Sequence, residues 1–246
     1  MRNLILRFKS KLKRLLGLDY HYIYDGLKTK NNTSFIKDES FIRSYERALK
    51  ASNGADYKIP MRVHQAIWCA HAALGIEGDF IELGTGKGFI FSAILESIPD
   101  KMMKGKSIYL VDTFLPYKTD IATGEQHPNQ PKSIVYSDGV EQVSRNFSEW
   151  ENIIICKGKA PEVLEKIIDN NPSIAFIHVD LNYSLAEIDS LDYLWEYISP
   201  FAIILLDDYA NPGREEQYES HNSFFASKGL KILTLASGQG LVIKSH

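Results

Sequence analysis

The chain has 246 residues, 44% of them hydrophobic, and a formal net charge of −3, which allows one substantial core, or one domain with a small appendage. Residues 1–19 carry six basic groups and one acid, a net of +5, so the rest stands near −8 (−3 minus +5); that balance excludes a basic nucleic-acid-binding body. No apolar run approaches the ~20 residues of a membrane span, and Cys69 and Cys156, far apart and without zinc spacing, read as core thiols in a reducing, cytoplasmic compartment.

In chain order, Leu4, Ile5, Phe8, Leu12, Leu15 and Leu16 recur at helical spacing among Lys and Arg. This predicts a basic amphipathic helix that packs on the body or on a second subunit of a homodimer; the alternative is peripheral contact with the inner face of a membrane. Residues 1–55 are read as a helical extension, with a second helix over Phe41–Ala51 ended by Asn53-Gly54. Pro60 opens the helix Met61–Leu74, and from Phe80 strands and helices alternate. Strands are predicted at Phe80–Leu83, Ser107–Val111, Asn152–Cys156, Ile174–Val179, Phe201–Leu206, Lys231–Leu235 and Leu241–Lys244. Helices are expected at Phe89–Ser97, Pro161–Asp169, Ala186–Tyr197 and Glu216–Ser227. The pattern predicts an α/β, doubly wound, mostly parallel seven-stranded sheet over residues 56–246, with an antiparallel C-terminal hairpin. The connection at about 113–151 is too long for a plain loop and reads as a lid. Its Phe114, Tyr117 and Tyr136 are candidates to stack on a ligand.

Phe80–Phe89 reads FIELGTGKGF, with Gly84, Gly86 and Gly88 between a strand and a helix. Such a turn lets the backbone approach a ligand and aims a helix N-terminus at it. The spacing is neither GxGxxG nor a P-loop. Asp112 ends the next strand, 24 residues past Gly88, where doubly wound nucleotide-binding folds place an acid for ribose hydroxyls. Glycines and acid together point to a nicotinamide or an adenosyl cofactor without choosing between them. The run AIILL at 202–206 then ends in Asp207-Asp208. Two adjacent carboxylates at the end of a buried strand require compensation.

The E-L-G-T-G-K-G turn and VDTF at 111–114 resemble the first two motifs of class I S-adenosylmethionine-dependent methyltransferases. With SDGVEQVSRNF, KGKAPEVL and the terminal DDY, the stretch from about 55 to 244 resembles the macrocin O-methyltransferase family. The resemblance implies an O-methyltransferase acting on a hydroxyl of a sugar, of a surface-polysaccharide (capsule) precursor or of a natural-product precursor. The alternatives are O-methylation of a phosphate-linked capsule group such as a phosphoramidate, an NAD-type oxidoreductase, which the glycine spacing disfavours, and a non-catalytic scaffold. The resemblance further implies S-adenosylmethionine beside Met61, Arg62, Glu82, Gly84, Thr85, Gly86, Gly88, Asp112, Thr113, Gly158 and Asp180. It implies a Mg2+ ion, or another hard divalent cation, on Asp180, Asp207 and Asp208. Asn182 stands where the family often carries a second aspartate able to act as base. His221, then His127, are the substitute candidates, while His178 has the same strand parity as Asp180.

Overall fold

The computed structural model describes residues 20, 22–115, 138–169 and 172–245. The expected helix of residues 1–17, most of the lid, Tyr117, Tyr136 and His127 lie outside the described residues. The chain opens with a hairpin of β1 (Tyr22–Tyr24) and β2 (Leu27–Thr29), followed by α1 (Glu39–Ala51) and α2 (Pro60–Ala73). Then come β3 (Asp79–Leu83), α3 (Phe89–Ser97), the single turn α4 (Asp100–Met103), β4 (Ile108–Asp112), α5 (Val140–Asn146) and β5 (Ile153–Lys157). A 3-10 turn at Glu162–Leu164 runs into the short α6 (Glu165–Ile168), where a single helix is predicted. The chain closes with β6 (Ile174–Val179), α7 (Ser184–Leu194), β7 (Ile198–Leu206), α8 (Glu215–Ser227), β8 (Leu233–Thr234) and β9 (Gly240–Ile243).

The large sheet has seven strands in the order β5-β4-β3-β6-β7-β9-β8. Strands β3 to β7 pair in parallel, and β9 runs antiparallel to both β7 and β8. Runs such as Ile174–Val179, apolar but for His178, are buried along their whole length, as a sheet covered on both faces requires. One face carries Phe80 and Phe176 against α1–α3, where Phe91 of α3 stacks on Phe176; the other carries Ile81, Ile177 and Ile204 against α7 and α8. Phe80 and Phe176 meet edge to face at 5.4 Å, an arrangement worth about 0.5–1.5 kcal/mol beyond the area it buries. From β3 the chain winds outward through β4 and β5, then returns to the other side of β3 as β6. The order therefore reverses beside β3, and the carboxyl ends of β3, β4 and β6 border the crevice where such sheets bind ligands.

The β1–β2 hairpin is not among the predicted elements. Asp25 and Gly26 form its tip with φ of 52° and 67°, the two positive values that a tight hairpin turn demands. No helix among the described residues is long and apolar enough to cross a membrane.

Candidate active site

The glycine-rich turn is held by backbone bonds to β4. Gly84 and Thr85 donate to the Val111 carbonyl at 2.8 and 3.2 Å, and Gly88 donates to the Thr85 carbonyl at 2.8 Å. Gly84 has φ 92°, and a Cβ there would lie 2.0 Å from the Asp180 carbonyl oxygen. The turn and the end of β6 thus touch through backbone alone. Asp112 faces this turn. One carboxylate oxygen accepts from Gly86 N at 2.7 Å, and the other accepts from Phe114 N at 2.7 Å and the Thr113 hydroxyl at 3.3 Å. Gly158 N donates to the Asp112 carbonyl at 2.9 Å. Gly84, Thr85, Gly86, Gly88, Asp112, Thr113 and Gly158 therefore share the carboxyl ends of β3, β4 and β5.

Glu82 on β3 is opposite His178 on β6 in the register, and both are buried. Burial pushes the Glu82 carboxyl up to about 7, against the pull of His178. Its Oε2 has no hydrogen-bond partner. His178 lies 3.3 Å from Glu82 through Nδ1 and 3.5 Å from Asp207 through Nε2. Burial alone would lower the imidazole, but the neighbouring carboxylates of Asp207 and Glu82 lift it to about 10.

The three aspartates converge where β6 and β7 end, with Asp180 N bonded to the Leu83 carbonyl and Asp207 N to the Val179 carbonyl. Arg62 of α2 reaches between the last two: its Nη1 is 2.6 Å from Asp207 Oδ2 and 3.2 Å from Asp208 Oδ1. Gln239 Nε2 donates to Asp207 Oδ1 at 2.8 Å, and the Asn211 amide donates to Asp208 Oδ1. Arg214 Nη2 lies 3.2 Å from Asp208 Oδ2 and also donates to the Asn182 side-chain oxygen. Asn182 Nδ2 in turn donates to Asp180 Oδ1 at 3.1 Å. Burial would raise Asp207, yet Arg62, His178 and Gln239 together hold it below its ordinary value. Asp208 is raised by burial and by Asp207, partly offset by the two arginines. Asp180 is raised well above 3.8, by burial first and then by Asp207 and Asp208.

The start of α2 is secured from outside this cluster. Asp25 accepts from Met61 N at 3.0 Å and from Arg62 N at 3.2 Å, and the Tyr22 hydroxyl accepts from Met61 N at 2.8 Å. Pro60 has no N–H to offer, so Asp25 takes the first two donors of the helix. The backbone amides of Met61 and Arg62, expected beside the cofactor, thus face the hairpin, and the Arg62 side chain faces the aspartates. His221 is 2% exposed, with Nε2 3.2 Å from Glu187 Oε2. Glu187 also accepts from Leu181 N, Asn182 N and Gln217. His221 therefore stands behind the loop that carries Asn182 rather than beside Asp180. Sequence reasoning passed over Arg214, Gln239, Asp25 and Tyr22.

The Macrocin-O-methyltransferase (TylF) family profile matches residues 61–230. The chain belongs to the macrocin O-methyltransferase family. It is a class I, S-adenosylmethionine-dependent O-methyltransferase with that family's Rossmann-like sheet, which sets aside the oxidoreductase and scaffold alternatives. Solved structures that share the fold include the O-methyltransferase NovP (15% identity over 81% of this chain and 88% of that one, TM-score 0.58). Another is CalS11, a calicheamicin methyltransferase (12% identity, 88% and 99% covered, TM-score 0.56). A third is TomG from Streptomyces achromogenes, solved with S-adenosylmethionine (11% identity, 85% and 91% covered, TM-score 0.54). No curated protein matches in sequence.

The adenosyl cofactor of the macrocin O-methyltransferase family fits these residues: Glu82 Oε2 is a buried acceptor in need of a donor, and Asp112 Oδ2, which accepts from Gly86 N, has a second lone pair. The magnesium ion implied by the resemblance fits less well. Four of the six oxygens of Asp180, Asp207 and Asp208 already accept from side-chain N–H groups, and a fifth, Asp208 Oδ2, is paired with Arg214 at 3.2 Å. Among the described residues, no three His, Cys, Asp or Glu side chains are grouped so as to hold a metal ion. As arranged, the three aspartates do not fit the ion.

Proposed function

We propose that this enzyme methylates a hydroxyl of a sugar, or of a sugar-bearing surface-polysaccharide or natural-product precursor. The observation that carries the reading is the adjacency of two features. The glycine turn braced by Asp112 abuts, through Gly84 and Asp180, a carboxylate-lined strand end that can accept a proton. A relative of the same fold described as a TDP-rhamnose 3′-O-methyltransferase supports the sugar class.

In this reading Asp112 takes the ribose hydroxyls, and Glu82 takes the ammonium of the methionine end. S-adenosylmethionine, when bound, supplies a methyl group on a sulfonium whose C–S bond breaks to a neutral thioether as the acceptor oxygen bonds to the methyl carbon. Asp180 is partly exposed at the end of β6, and its raised carboxyl suits a base more than an ordinary aspartate does. It receives the acceptor's proton. Asn182 holds Asp180 through one oxygen and cannot itself take a proton. Arg62, Arg214 and Gln239 keep the neighbouring pair charged and fixed, and the protein aligns oxygen, methyl and sulfur.

The test is a labelled methyl donor offered with nucleotide sugars, free sugars, a phosphoramidate and phenols. Transfer to a sugar hydroxyl, lost in Asp180→Asn with the affinity for S-adenosylhomocysteine kept, is the expected result. Transfer to phenols alone would overturn the acceptor class.

A further inference from the structure

The three aspartates raise a question of charge that the methyltransferase fold does not answer. Three carboxylates meet where β6 and β7 end, and a site built for a divalent cation would receive two positive charges there. Two guanidinium groups already supply that number. Arg62 enters from α2 and spans Asp207 and Asp208 at 2.6 and 3.2 Å; Arg214 enters from the segment before α8 and reaches Asp208 at 3.2 Å. Their side chains are 12% and 10% exposed, so neither is a loose surface pair of the kind that water screens away.

The remaining bonds run in the same direction. Asn182 donates to Asp180 and accepts from Arg214, so its amide links the third aspartate to the second arginine. An aspartate at 182 would lack the N–H that Asp180 accepts. Gln239 fills Asp207 Oδ1, and Asn211 donates to Asp208 Oδ1. Arg62 is itself set from behind, because Asp25 fixes its backbone N–H at the first turn of α2. A cation on Asp207 and Asp208 would have to displace Arg62 from buried oxygens and then sit beside a like charge.

We propose that Arg62 and Arg214 take the place of the divalent cation in this chain, and that Asn182 completes the arrangement by joining Asp180 to Arg214. The proposal rests on the methyltransferase reading for the meaning of the site, though not for the arrangement itself. The aspartates then act with the two arginines as their fixed counter-charges, and the enzyme needs no metal to hold them together.

The test uses the full-length protein, stripped of metal, with Mn2+ as probe and S-adenosylhomocysteine present at saturation. The free-Mn2+ paramagnetic resonance signal measures binding, and calorimetry separately measures the nucleoside. Wild-type protein is expected to leave Mn2+ free up to about 1 mM, the weak end of ordinary oxygen-ligand cation sites. Arg214→Met, which removes one of the two positive charges, is expected to raise Mn2+ affinity at least about tenfold, and Asp208→Asn in that background to abolish the gain. Tighter Mn2+ binding by wild type that Asp208→Asn abolishes would overturn the proposal and leave the methyltransferase reading intact. Failure to bind the nucleoside would strike the methyltransferase reading instead, and the Mn2+ measurement would still decide the arginines. If Arg214→Met does not fold, the wild-type and Asp208→Asn measurements decide the matter alone.

Discussion

Replacing Arg62 by methionine keeps much of the side-chain length and removes the charge between Asp207 and Asp208. In the native protein that charge meets two carboxylates at 2.6 and 3.2 Å, with side-chain exposures of 12%, 7% and 13% for Arg62, Asp207 and Asp208. Removing one partner from so enclosed a group costs about 3–5 kcal/mol, because the remaining charges lose their compensation in a poorly solvated place. At a urea slope of about 2 kcal/mol per M, the unfolding midpoint should fall by roughly 2 M at pH 7. The sign of the pH dependence follows from the carboxylates. Asp207 is held below its ordinary value by Arg62, His178 and Gln239. Its contribution is present above the unfolded value near 3.9 and is lost as pH falls through the lower folded value. Without Arg62, Asp207 and Asp208 both move upward and take up protons at milder pH. The deficit of the variant relative to wild type should therefore shrink between pH 7 and pH 5. Urea unfolding followed by circular dichroism at both values measures this. A loss below 1 kcal/mol at pH 7, or a deficit that does not narrow toward pH 5, would refute the view that Arg62 is the counter-charge of the pair.

Three other outcomes are expected. Asp112→Asn sets an amide N–H or a weaker acceptor against Gly86 N and Phe114 N; S-adenosylhomocysteine affinity by calorimetry should drop about 10- to 100-fold, or 1–3 kcal/mol. Gly84→Ala would drive a Cβ to 2.0 Å from the Asp180 carbonyl oxygen, on top of the roughly 1–2 kcal/mol of a left-handed backbone, so cofactor binding and thermal stability should fall together. Asp25→Ala strips the cap from Met61 N and Arg62 N and should cost about 1–2 kcal/mol in chemical unfolding; a cost near zero would show that water caps α2 equally well.

The strands were the most legible part of the chain. Ile174–Val179 agrees residue for residue, since a buried run, apolar but for His178, between a turn and an aspartate leaves little choice of boundary. The glycines and Asp112 were legible because a tight turn and a strand-end acid each have a local cause. The hairpin was missed although its signal is present: YIYDGLKT puts Asp25-Gly26 between two short strand-like runs. The long-range partners could not be read. Nothing local marks Arg62 as the partner of residues 145 and 146 positions away, nor Gln239 as that of Asp207. His221 shows the converse: a histidine soon after the aspartate pair looks like a base, but the helical phase of α8 turns it toward Glu187 and the interior.

The hairpin bears on where this catalytic unit begins. Sequence similarity to the family starts at residue 61, and cutting the gene just upstream of that position would look harmless. Such a fragment would keep every strand of the large sheet and every residue of the glycine turn. It would also begin at the opening turn of α2, without the carboxylate that anchors that turn and the tyrosine ring beside it. The arginine that neutralises two aspartates would then hang from a frayed end. In this chain the first residue of the family match and the tyrosine that helps to hold it lie thirty-nine positions apart, at Met61 and Tyr22.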